Sequence, residues 1–345
     1  MKKQVLAGLP FWELEELLDI YPAFRRAQIR QWIVAGALSF DEMSNLPLPM
    51  RKELAEKYEL VAGHLISELH DRDGTLKVGI QEEDGAVIEA VILKDGKERK
   101  TACISTQVGC PMGCVFCKTG SLGFKRNLSA AEIAGQFLHL RGKDKEISHI
   151  VIMGMGEPLL NMEELRKTLC FIMAKDGLGF SKRRITLSTC GIASGILDLA
   201  NNGPDIRLAL SLTSARNGLR QRLMPGSREN PLPRLKEALL LYQKKRKRRI
   251  TLEMVLLGGI NTGNEDATAT VDFASGLDVV VNLIPWNPVS GLEFEGRPLK
   301  PPTPKEASGF AAALKKANVK ITWRIEKGQS ISSACGQLGY FAYNN

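Results

Sequence analysis

The sequence predicts an α/β protein whose main body is a parallel, barrel-like sheet of repeated βα units, preceded by a small helical module and a short β extension. Three patterns predict it. From Thr101 onward, apolar runs at His149 to Met153, Arg184 to Ser188, Arg207 to Leu212, Ile250 to Leu256 and Val279 to Leu283 alternate with helical stretches. Between Leu6 and Tyr58 the apolar residues recur three and four apart. Between Asp73 and Ala102 the chain shifts to short β-prone runs punctuated by Asp-Gly. These divisions give a helical module over 1–62, a β extension over 63–100 and a core over 101–345.

In the first module the helical spacing is carried by Trp12, Leu14, Leu17 and Leu18, and again by Ile29, Trp32 and Ile33. Pro22, Gly36 and Leu46-Pro47-Leu48-Pro49 cut it into short helices. Arg25, Arg26 and Arg30 fall near one helical face, which suits RNA phosphates and equally suits a solvated surface. In the extension, Leu76 to Ile80 and Val87 to Leu93 read as strands, with hairpin turns at the Asp-Gly pairs 73–74, 84–85 and 95–96. The core offers roughly six strands, short of the eight of a closed barrel, so an open barrel and a doubly wound sheet both fit. The basic run Lys244 to Arg249 sits between a helical stretch and a strand, where it can bind phosphate or simply favour the helix dipole.

Lys plus Arg outnumber Asp plus Glu by 47 to 38, a net charge of +9 that suits a polyanionic partner. No apolar run approaches the ~18 residues of a membrane span, and the start of the chain lacks a signal-peptide pattern, so a cytoplasmic protein is expected. Seven cysteines, an odd number, argue against a disulfide framework and towards metal or redox chemistry.

The spacing of those cysteines is informative. Cys110, Cys114 and Cys117 form CxxxCxxC on a loop bearing Gly and Pro, after a predicted strand. Three soft ligands on a four-iron cube leave one iron open to a substrate. Structural zinc is the competing reading, yet it normally closes four ligands, and Cys103, seven residues upstream, is an unusual fourth. Downstream, Gly154-Met-Gly156-Glu157-Pro158 follows a strand and offers backbone groups and a carboxylate for an ammonium, or a plain βα turn. Ser188, Ser211-Leu212-Thr213 and Asn287 also fall at or just after strand ends, where such barrels bind ligands.

The CxxxCxxC loop, with Phe116 before its last cysteine, resembles the radical S-adenosylmethionine (SAM) superfamily. Together with Gly123-Phe-Lys-Arg-Asn-Leu128, Ser181 to Thr189 and Ala334-Cys335-Gly-Gln-Leu338, the chain resembles the RlmN/Cfr family of radical SAM RNA methyltransferases. The resemblance implies a partial (β/α)6 radical SAM barrel. It implies a [4Fe-4S] cluster on Cys110, Cys114 and Cys117, and SAM bound by Gly156, Glu157, Ser188, Ser211, Leu212, Thr213 and Asn287. An adenine ring carbon is not a nucleophile, so radical chemistry from a cofactor is required. In the implied ping-pong mechanism one SAM methylates Cys335, a second yields the 5′-deoxyadenosyl radical, and Cys103 resolves the protein–RNA adduct by forming a disulfide with Cys335. Glu89 matches the proton acceptor, although its spacing to Cys103 is one residue longer than the pattern.

Gly123-Phe124 looks like RlmN, which methylates adenosine carbon 2 in 23S rRNA and tRNA, whereas Cfr relatives, acting on carbon 8, more often carry leucine at 124. A low-potential electron donor such as flavodoxin, a thiol reductant and a monomeric state are expected with it. The chain departs from the pattern at Thr213, where many relatives have histidine, and at Lys327 to Ser333, where an acidic residue or pair is usual. Cys170 and Cys190 read as packing residues, and none of His64, His70, His139 and His149 has metal-ligand spacing. A reading of another class is a zinc-stabilised RNA-binding protein, which accounts for neither Gly156-Glu157 nor Cys335.

Overall fold

A computed structural model describes residues 3–96, 99–175, 177–324 and 326–339. The N-terminal module contains α1 (Phe11–Leu17), α2 (Ala23–Ala35) and α3 (Leu48–Lys57). Helix α2 starts after Pro22 and stops at Gly36, whose φ of 89° continues the chain in the left-handed region that favours glycine. Leu14, Ile29, Ile33 and Leu54 bury the apolar faces of these helices in the same core as the sheet, while Trp12 is 62% exposed. Arg26 pairs with Glu15 at 2.7 Å, and Arg25 lies 4.8 Å from the centre of the Phe24 ring.

Ten strands form one sheet in chain order. They are β1 (His64–His70), β2 (Leu76–Gln81), β3 (Val87–Asp95), β4 (Arg99–Cys103) and β5 (His149–Ile152). There follow β6 (Ile185–Thr189), β7 (Arg207–Ser211), β8 (Ile250–Leu256), β9 (Val279–Pro285) and β10 (Ile321–Trp323). Strands β1 to β4 pair antiparallel, and from β4 onward every pairing is parallel. The β extension is therefore continuous with the main sheet. The first two hairpins turn at Gly74 and Gly85 in the left-handed region, as Asp-Gly predicts. Lys97 and Glu98, which follow the third Asp-Gly, lie outside the described residues.

Helices α4 (Ala130–Lys143), α5 (Met162–Met173), α6 (Ala193–Asn202), α7 (Asn217–Leu223) with α8 (Leu232–Arg246), α9 (Asn264–Ala274) and α10 (Pro304–Lys316) follow successive strands. Ser129 and Glu132 cap the start of α4 reciprocally, and Thr303 with Glu306 does so for α10. Six βα units result, followed by the three-residue β10, too short to read from periodicity. Within 244–249, Arg248 forks onto Asp205, Arg249 meets Asp278 at 2.8 Å and Lys245 meets Asn201 at 2.6 Å, while Lys244 and Lys247 are exposed. Among the described residues no helix is long and apolar enough to cross a membrane.

Candidate active site

The strand β4 delivers Cys103 to its C-terminal end, and the chain then pairs Gln107–Gly109 with Phe124–Asn127 before the cysteine loop. Gly109, at φ 75°, lets the Gly123 carbonyl come so close that any Cβ would overlap it, and Cys110 N donates to that carbonyl at 2.9 Å. Beyond the loop, a single turn at Lys118–Ser121 packs Gly120 against the backbone of Cys114. Cys110, Cys114 and Cys117 line one cavity, with Phe116, Met224 and Trp286 as apolar wall. Burial pushes the thiols of Cys110 and Cys117 up, so a cation is needed to hold them as thiolates.

Three soft sulfur donors on a water-poor wall suit an iron–sulfur cluster. Among the described residues no three His, Cys, Asp or Glu side chains converge on a single ion position. A cluster does not require that, because each cysteine binds a different iron, whereas structural zinc does.

The turn after β5 packs directly on the segment after β4. A Cβ on Gly154 would lie 2.5 Å from Ser105 Oγ, and one on Gly156, at φ 102°, would lie 2.6 Å from Gln107 Cβ. The sequence offers the Glu157 carboxylate to an ammonium, and in the structure Glu157 lines the cavity. Glu157 is buried and already accepts from Leu159 N at 3.0 Å, Thr189 Oγ1 at 2.7 Å and Cys190 N at 2.6 Å. Burial raises its pKa, and these three donors oppose the shift. The turn offers a ligand the backbone of Gly154 and Gly156 and the remaining acceptor site of the Glu157 carboxylate.

Successive strand ends complete the wall. Ser188 and Ser211 meet through their hydroxyls at 3.2 Å, and both line the cavity. Thr213 lines it at φ 55°, with its carbonyl accepting from Asn261 at 2.7 Å and its buried Oγ1 without a hydrogen-bond partner among the described residues. Leu212 is fully buried off the cavity, and its backbone N–H and carbonyl are taken up by Glu253 O and Ser214 N. Asn287 donates to the Cys335 carbonyl at 2.9 Å. Sequence reasoning missed two charged residues here. Glu253, on β8, accepts from Asn282 at 2.7 Å and its pKa is raised by burial, and Arg324 follows β10. Both were hidden because neither belongs to a contiguous motif.

An adjoining cavity shares Cys117, Asn287, Arg324 and Cys335 with the first and adds Cys103. Burial, and then the neighbouring Cys335, pushes the Cys103 thiol up to about 12, while Arg324 opposes that shift. The Cys335 segment is stitched to the cysteine loop: Lys118 N donates to Gly336 O and Thr119 Oγ1 to Leu338 O, each at 2.7 Å. Its upstream part is held by the β1–β2 hairpin. Gly328 N donates to Asp73 at 2.9 Å, Ser330 N and Oγ donate to Asp71 at 3.0 and 2.9 Å, and Lys77 Nζ donates to Ser332 O at 3.2 Å. The acids that meet this stretch come from the hairpin turn, Asp71 and Asp73.

Glu89 lines neither cavity. It is 1% exposed on β3, paired with the fully buried Lys77 at 3.4 Å, so it is no surface strand carboxylate. Cys190 is also more than a packing residue: it lines the first cavity, its Sγ 4.0 Å from that of Cys114. Cys170 is half-buried on α5 and lines neither cavity. His139 bonds the carbonyls of Ala62 and Gly63 at 3.1 Å, away from the cysteines.

The profile of the "Radical SAM superfamily" matches residues 104–274, which includes the three-cysteine loop. A protein from Treponema denticola named "Probable dual-specificity RNA methyltransferase RlmN" is 46% identical over 98% of this chain and 96% of its own length. One of the same name from Thermus thermophilus is 41% identical over 94% of this chain and 93% of its own. The crystal structure of a radical SAM methyltransferase from Sphaerobacter thermophilus superposes with a TM-score of 0.92 at 35% identity, covering 97% of this chain and 99% of that one. The fold, the cavity lined by three cysteines and this full-length similarity establish that the chain belongs to the RlmN family of radical SAM RNA methyltransferases.

Proposed function

We propose that the protein methylates carbon 2 of adenosine in 23S rRNA and in tRNA, with Cys335 as the methyl carrier and two SAM consumed in ping-pong order. The observation that carries this reading is that Cys103 and Cys335 open on one cavity, and that this cavity adjoins the one lined by Cys110, Cys114 and Cys117. Cys110, Cys114 and Cys117 would hold the four-iron cluster, which when bound supplies the electron that cleaves SAM. SAM would rest on the backbone of Gly156 and on Glu157, Ser188, Ser211, Thr213 and Asn287, with Leu212 backing the end of β7 between Ser211 and Thr213. Glu157 shapes that turn, and the unpartnered Thr213 Oγ1 is a hydrogen-bonding group still to be satisfied.

Cys335 accepts a methyl group as a thioether and presents it beside Arg324. Once the carbon is bonded to adenine, Glu89 takes the ring proton. Cys103 then attacks the Cys335 sulfur and breaks its bond to the bridging carbon, which takes the proton of the Cys103 thiol to become the methyl group, while the odd electron of the adduct leaves to a one-electron acceptor. The disulfide that remains is reopened by a thiol reductant. Arg324 lines both cavities, and its charge favours the Cys103 thiolate. Glu89 connects to the carrier segment through Lys77, whose Nζ reaches both Glu89 and the Ser332 carbonyl. The net charge of +9 suits RNA, a flavodoxin-type donor would supply the electron, and the enzyme would act as a cytoplasmic monomer.

The test is mass spectrometry of nucleosides from unmodified rRNA and tRNA, incubated anaerobically with reconstituted protein, SAM and a reductant. Appearance of 2-methyladenosine is the expected result. Appearance of 8-methyladenosine instead would move the enzyme to carbon 8, and neither product would sink the reading.

A further inference from the structure

Arg220 takes no part in the chemistry above. It lies on α7, 1% exposed, behind the wall that carries Cys114 and Cys190. Its Nη2 donates to the Cys190 carbonyl and, at 3.5 Å, to the Ser211 carbonyl. Its buried Nε has no hydrogen-bond partner among the described residues. Both acceptors are neutral, and the acid in charge contact with it, Glu157, is already committed to three other donors. The other groups whose charge would act on the guanidinium are the sulfurs of Cys190 and Cys114. A buried cation is costly unless anions stand nearby. Beside Glu157, three thiolates around a cluster would be such anions.

We propose that Arg220, together with the Cys190 thiol 4.0 Å from Cys114, is a positioning group that makes a cluster held on Cys110, Cys114 and Cys117 easier to reduce. The inference rests on the reading that these cysteines hold a four-iron cluster. Taking up one electron from a low-potential donor makes the thiolate-bound site more negative by one charge. A permanent positive charge in a low-dielectric wall, and hydrogen bonds to the sulfurs, stabilise the reduced state more than the oxidised one. A residue that only filled the wall would need neither the charge nor a place beside two sulfurs.

The test is a potentiometric titration of the anaerobically reconstituted full chain, followed by the electron paramagnetic resonance signal of the reduced cluster, with iron and sulfide measured on each sample. Arg220→Gln, which keeps polar contacts and loses the charge, is expected to lower the reduced-to-oxidised ratio at a fixed potential tenfold or more. For a one-electron couple tenfold is about 59 mV. Arg220→Lys should stay within about threefold of wild type, and Cys190→Ala should shift the ratio about threefold in the same direction as Arg220→Gln. Arg220→Gln and Cys190→Ala holding full iron and sulfide at the wild-type midpoint would overturn the proposal. If Arg220→Gln does not fold, the midpoint of Cys190→Ala decides alone. Wild-type protein that binds stoichiometric zinc and no sulfide would instead sink the cluster reading beneath it.

Discussion

The Gly154–Pro158 turn and the Gly328–Cys335 segment meet at the same pair of cavities but are secured differently. The turn is fixed by shape: Gly154 and Gly156 leave no room for a side chain, and Glu157 is tied to the ends of neighbouring strands through Thr189 and Cys190. The segment is fixed by charge and hydrogen bonds from the β1–β2 hairpin, at Asp71, Asp73 and Lys77. Rigid packing suits a surface that must hold a cofactor in one pose. Polar tethers suit a carrier whose sulfur must meet first one partner and then another.

The largest expected effects separate the two regions by function. Cys114→Ala should abolish iron retention, SAM cleavage and RNA methylation together. Cys335→Ala should retain iron and SAM cleavage and yield no methylated RNA. Iron analysis, 5′-deoxyadenosine release and nucleoside mass spectrometry read the three activities, and equal loss in both variants would break the distinction.

Lys77→Met strands the buried Glu89 carboxylate and removes the tether to Ser332, so unfolding in urea should show a loss of about 3–5 kcal/mol. A loss below about 1 kcal/mol would mean that Glu89 escapes to solvent or takes up a proton at little cost.

Gly156→Ala forces a side chain onto Gln107 in a backbone region that alanine avoids, a strain of about 1–3 kcal/mol. It should weaken SAM binding by about tenfold in equilibrium titration, against no change for an alanine at the open Gly291.

The smallest effect belongs to the polar tether. Hydrogen bonds from Ser330 and the Asp73 backbone outweigh partial burial and hold Asp71 below the usual carboxylate range, and Asp73 is lowered in the same way by Thr75 and Gly328. Because these values are lower in the folded chain, their contribution is complete above the ordinary Asp value of ~3.9 and fades as pH falls through the folded values. At neutral pH, Asp71→Asn should speed amide exchange of Ser330 about twofold to fivefold. That difference from wild type should vanish in acid, and a difference that persists there would assign the tether to shape instead of charge.

The same contrast governs how much could be read from the sequence. The three cysteines, Gly156-Glu157 and the strand-end residues are contiguous motifs or sit at predictable strand ends, and the structure brings them to one cavity. Glu253, Arg324, Arg220 and the Asp71–Ser330 tether are not legible, because each acquires its neighbours only when distant strands align. Cys190 misled for a related reason. One residue beyond a strand end, its spacing says nothing of Cys114, 76 positions away, yet the sheet brings their sulfurs together. Glu157 shows the converse, since a motif reveals that a carboxylate is present but not that Thr189 and Cys190 will hold it.

Contacts between Asp73 and Gly328, and between Lys77 and Ser332, each span 255 positions of chain. Closing so long a loop is entropically among the most demanding events in folding, so local βα units form ahead of it and this seam closes last. A chain in which only this seam is open would keep its local βα units while the Cys335 segment is released, so the tether sets when Cys335 and Cys103 can share a cavity.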